Sequence, residues 1–132
     1  MAYESPWNQQ MLDMDEASFE KMAIQMASGR TLTFEKQEQL KNWILQADRE
    51  TYVYGYTDLL KLDVRDAIAK IKIPVVILAA THPFGLEAAK KTYEGQYVKL
   101  ESYTIDYAEG ASHFIMYDEP EWFHAKVVNY IK

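Results

Sequence analysis

The sequence predicts an α/β protein in two parts, a helical stretch over residues 1–62 and the later part of a parallel α/β sheet over residues 63–132. Helix-period apolar stripes fill the first half. An unbroken β-branched and aliphatic run, Val75-Val76-Ile77-Leu78-Ala79-Ala80, follows Pro74, and helix and strand patterns alternate from there on. With 132 residues the chain fits one domain able to bury a real core. At 48% hydrophobic and 26% charged, it has the composition of a folded globular chain and excludes disordered and collagen-like classes.

From Asp15 to Ser28, Phe19, Met22, Ala23 and Met26 fall at i, i+3, i+4 and i+7, one stripe of a helix that Gly29 would stop. Thr33 can cap the next helix, striped by Leu40, Trp43, Ile44 and Ala47, and Asp48-Arg49-Glu50 marks a break. A third helix is expected from about Glu50 to Leu60, although the alternation of Tyr52, Tyr54 and Tyr56 also suits a strand. A short amphipathic helix follows over Val64–Ile71.

Beyond Pro74 the continuous apolar run suits a strand covered on both faces, as in a parallel sheet flanked by helices. Leu86–Tyr93 reads as a helix and Tyr103–Tyr107 as a second strand. Pro120–Ile131 closes the chain as a helix, with Asp118 and Glu121 spaced as a capping box. Two strands are few for a parallel sheet with a buried strand, so the chain reads as part of a larger α/β domain.

Lys and Arg total 14 against 20 Asp and Glu, a net charge of −6 that repels a phosphate backbone, so nucleic acid is not an expected partner. No run reaches the roughly 18 apolar residues of a membrane span, and no membrane partner is expected. The start, Met1-Ala2-Tyr3-Glu4-Ser5-Pro6-Trp7, lacks the pattern of a signal peptide. With no cysteine there is no disulfide and no thiol nucleophile, and the compartment stays open.

The stretch richest in chemistry is Glu109-Gly110-Ala111-Ser112-His113-Phe114-Ile115-Met116-Tyr117-Asp118-Glu119-Pro120-Glu121-Trp122-Phe123. A small-residue turn after a strand delivers a histidine at the sheet edge, and a proline-started helix then carries Trp122 and Phe123 inward. With the Ile73–Leu78 strand, this resembles the C-terminal part of an α/β-hydrolase, most closely from about Asp63 to Lys132. The tail is similar to bacterial hydrolases of esterase or haloperoxidase-like type. The family carries its catalytic histidine in the loop after the last strand, which implies that role for His113. The resemblance also implies that the helical residues 1–62 are a cap.

A histidine there has a near-neutral pKa, so it can take a proton from a serine hydroxyl and return it to the leaving group, a contribution of order 10²–10⁴. A histidine in such a loop can also be a simple hydrogen-bonding residue. Strand, turn and Pro-x-x-Phe helix together favour the catalytic reading.

The family's Gly-x-Ser-x-Gly is absent, since none of Ser5, Ser18, Ser28, Ser102 and Ser112 has glycines at that spacing. Ser112 reads as a turn residue. Nor is there a His-Gly or Gly-Gly oxyanion loop. The family's acid commonly follows the strand matched by Val75–Ala80, yet Ala80-Thr81-His82-Pro83-Phe84-Gly85 has no carboxylate. The acid is expected from an earlier strand this chain lacks, the alternatives being that Glu87 substitutes or that the triad is degraded; Glu87 reads more readily as a residue of a first helical turn. His82 is the second candidate site, because ligands bind at the C-terminal ends of parallel strands. His124 is expected to face solvent.

No metal site is expected from three separated histidines, and no cofactor. The tyrosines read as rings sealing the cap against the main domain. Alternatively they line an apolar acyl pocket with Met11, Met14, Met22 and Met26. The resemblance thus implies the C-terminal fragment of a serine hydrolase, inactive alone and contributing His113 toward a hydrophobic, ester-like small molecule. A non-catalytic binding module with the same half-fold is the alternative. Either way the expected partner is another copy or the missing N-terminal half.

Overall fold

A computed structural model describes residues 2–132. The chain is mixed α/β: eight helices and a two-stranded parallel sheet among the described residues. Its contacts divide it into two compact units, one made of the residues up to Gly29 with Phe34–Asp63, the other of Arg30–Thr33 with Val64–Lys132. Arg30–Thr33 groups with the later residues although it lies between two helices of the first unit.

The first unit holds α1 (Pro6–Asp13), α2 (Glu16–Ser28), α3 (Phe34–Gln46) and α4 (Arg49–Lys61). Ser5 caps α1 by accepting the Asn8 amide, with Pro6 in the first turn where a missing N–H costs nothing. Asp15 and Asp48 cap α2 and α4 in the same way, through the amides of Ser18 and Thr51. These bonds hold both carboxyls below the usual range: for Asp15 chiefly the Ser18 amide, for Asp48 chiefly the Thr51 hydroxyl. Gly29 follows α2 with φ −78°, so it ends the helix without a left-handed turn.

The core of this unit is Met11, Phe19 and Val53. Residues 49–61 are helical, so the strand alternative for the tyrosines is not adopted. Each ring instead meets an aromatic of its own unit: Tyr52 on Phe19, Tyr54 on Tyr3 and Tyr56 on Trp7.

The second unit holds α5 (Arg65–Ile68), β1 (Val75–Ala80), α6 (Leu86–Tyr97), β2 (Tyr103–Ala108), α7 (Ile115–Asp118) and α8 (Pro120–Tyr130). β1 and β2 run parallel from Val75 opposite Tyr103 to Ala80 opposite Ala108. A parallel pair needs a long crossover, which α6 supplies. Leu78 and Ala80 pack with Trp122 and Phe123 against buried Ala108, Ala111 and Ile115, while α6 packs on β1. The expected cover on both faces of β1 is incomplete, since Val76 remains exposed. Among the described residues no helix is long and apolar enough to cross a membrane.

Candidate functional site

The two strands end side by side, and the loops that leave them are tied together. Gly110 takes φ +85°, a left-handed conformation that glycine adopts without a Cβ penalty, and turns the chain back after β2. The Thr81 hydroxyl donates to the Ala108 carbonyl at 3.3 Å and accepts the Gly110 amide at 2.9 Å. The His82 amide donates to the Ala111 carbonyl at 3.0 Å. These bonds bring His82 and Ser112 together, with His82 Nδ1 2.9 Å from Ser112 Oγ.

Ser112 is wholly buried, with a relative exposure of 0%. With no surface open to solvent, the Ser112 hydroxyl is not presented to a substrate, and its bond to His82 ties the two loops. His113, the next residue, is exposed. Its ring meets Phe114 edge-to-face at 5.1 Å. Partial desolvation by its surroundings, reinforced by the positive charge of Arg30, pushes its pKa below the usual histidine value. Both influences disfavour the protonated imidazole relative to the neutral form that accepts a proton.

The loop is anchored from below by Asp118. Its Oδ2 accepts the Ser112 amide at 2.8 Å, and its Oδ1 accepts the Thr31 hydroxyl at 2.5 Å and the Leu32 amide at 2.8 Å. The Thr33 hydroxyl reaches the same oxygen at 3.4 Å and donates to the Tyr117 carbonyl at 3.0 Å. The Phe114 amide donates to the Arg30 carbonyl at 2.9 Å. Desolvation is the largest influence on the Asp118 carboxyl and favours the neutral form. The Thr31 hydroxyl and the amides of Ser112, Leu32 and Thr33 together outweigh it and leave the pKa lowered.

The capping box expected from Asp118 and Glu121 is not formed. Asp118 is the last residue of α7, Glu119 takes the N-cap position of α8 without a side-chain cap, and Pro120 starts that helix. The intervening turn of helix directs the carboxylate toward Ser112 and Thr31. Glu87 is exposed in the first turn of α6 and pairs with Lys90 at 2.9 Å. His124 is exposed on α8. Among the described residues, no three or more His, Asp or Glu side chains gather as metal ligands.

Sequence reasoning singled out His113 and His82 as candidates and gave no sign of Thr31 or of the hub position of Asp118. The short spacing to Glu121 signalled a helix cap, and nothing local signalled partners 86 and 87 positions away. The chain matches no family model, no curated protein and no solved structure.

Proposed function

We propose that this chain is the C-terminal part of a serine α/β-hydrolase and that His113 is its general base, acting on a serine that lies outside these residues. One observation carries the reading: a solvent-reachable imidazole stands in a fastened loop just beyond the C-terminal end of a parallel strand. His113 would take the serine proton as the oxygen attacks the acyl carbonyl, then deliver it to the departing alkoxide. Support for an apolar, ester-like substrate comes from Leu32, Phe84 and Met116, exposed on the segments around the two histidines. The helical residues up to Asp63 fit the cap of such an enzyme in content.

A non-catalytic binding module with the same half-fold is favoured by one feature. The loop Thr81–Gly85 contains no carboxylate, and the nearby carboxylate of Asp118 is engaged by the Ser112, Thr31 and Leu32 donors.

Labelling with a fluorophosphonate probe and hydrolysis of p-nitrophenyl acetate separate the two. Both reactions should fail for this chain alone and succeed when it is extended by the residues encoded upstream. Labelling of the short chain at Ser112 would overturn the assignment of the nucleophile. An extended chain that neither labels nor hydrolyses supports the binding module.

A further inference from the structure

Resting on the reading of His113 as a base, we propose that Asp118 is its positioning residue: it fastens the Ser112 backbone to the segment Arg30–Thr33 and thereby sets where the His113 imidazole stands. Ser112 is held at its amide by Asp118 Oδ2, at 2.8 Å, and at its hydroxyl by His82 Nδ1, at 2.9 Å. One residue beyond His113, the Phe114 amide is held by the Arg30 carbonyl at 2.9 Å. The histidine is thus bracketed by two anchored residues, and the direction of its Cα–Cβ bond follows from theirs.

Both anchors lead to one carboxylate. The carbonyl that receives Phe114 belongs to Arg30, and the next residues, Thr31 and Leu32, are themselves bound to Asp118 Oδ1. The donors that reach Asp118 among the described residues are hydroxyls and backbone amides, so this carboxylate orients the loop and does not act as the imidazole's own acid partner. Hydrogen bonds to an ionised acceptor are about twice as strong as neutral ones, and a carboxylate alone offers acceptor oxygens in both directions. An asparagine fits the same space but must turn its NH₂ toward either Ser112 or Thr31 and Leu32, placing donor against donor.

The same contacts hold Arg30 near His113. Arg30 from the 30–33 segment, Asp118 from α7 and His82 from the loop after β1 are the charged or titratable groups that these bonds bring to the histidine loop.

Asp118→Asn in the full chain tests this, read by histidine-ring NMR titration and by amide hydrogen exchange. Protection should fall at least about tenfold at whichever of the Ser112 and Leu32 amides meets the new NH₂, and by less at the other, which keeps a neutral acceptor. The His113 titration midpoint should move up toward that of an ordinary histidine as the loosened loop hydrates the ring and releases Arg30, and that of His124 should stay. Should Asp118→Asn fail to fold, Thr31→Val removes one donor, keeps the carboxylate, and should shift His113 in the same direction by less. An unchanged His113 midpoint and ring shift in whichever folded variant is read would overturn the proposal. So would undiminished protection of both the Ser112 and the Leu32 amide. Neither measurement uses hydrolysis, so a negative result here leaves the general-base reading standing. Failed hydrolysis by the extended chain would likewise leave these shifts intact.

Discussion

The helical unit and the α/β unit bury different things. In the first, Phe19 and Val53, at 2% and 0% exposure, fill the core with bulk, and aromatic rings from α1, α2 and α4 meet around them. Its buried polar pair is internal to helix packing: the Thr57 hydroxyl lies 2.9 Å from Asn8 Oδ1, and Asn8 Nδ2 donates to the Tyr3 carbonyl. In the second, the core is mostly small residues, Ala79, Ala108 and Ala111 with Ile115, and the buried polar groups Thr31, Thr81 and Ser112 all lie in connections at the sheet's C-terminal end or bound to them. One unit spends its polar groups on holding helices together and the other on fixing a loop. A loop fixed in that way is where a reacting side chain gains from being held.

Substitutions at several positions should affect the two units differently. The largest effect is expected from Phe19→Ala, which should destabilise the helical unit by about 3–5 kcal/mol through the cavity it leaves. Amide exchange in α2 and α3 would report it, and equal losses in β1 and β2 would erase the distinction between the units. Asp118→Ala should cost about 2 kcal/mol by stripping a carboxylate from several donors, with the loss centred on Ser112 and Leu32 and checked by urea denaturation. Thr57→Val keeps shape but leaves Asn8 short of a partner, for about 1–2 kcal/mol. Its effect should stay in α1 and α4.

The smallest effects are on pH. The folded pKa of His113 is lowered, so the unfolded chain binds its proton first as pH falls. Stability from this group is complete above the ordinary histidine value of roughly 6.5 and declines as pH drops toward the folded value. His113→Gln should flatten that slope. Asp118 is lowered as well, so its contribution is present above the ordinary carboxylate value of roughly 4 and fades as pH falls through the folded value. Denaturation midpoints measured across pH 2 to 8 would show both limbs.

What could be read from the sequence was local. The stripe Phe19, Met22, Ala23 and Met26 marks α2, and the apolar run after Pro74 marks β1, because helix and strand periods are written in neighbouring residues. The helix α1 has only 8 residues and was not read from the sequence, although Ser5 followed by Pro6 carries a start signal. Residues 115–118 form a turn of helix too short to have a period, and that turn decided where Asp118 points. The histidine loop was legible from its turn, its proline and the alternation around it. Its anchoring was not, since Thr31 and Leu32 meet Asp118 only through the fold.

The role of His113 as a general base is tested most plainly by the hydrolysis rate of the chain extended through its upstream residues, with and without His113→Ala. Removal of a general base predicts a loss of at least about a hundredfold in kcat, with fluorophosphonate labelling slowed to match. A loss smaller than about tenfold would contradict the role given to His113.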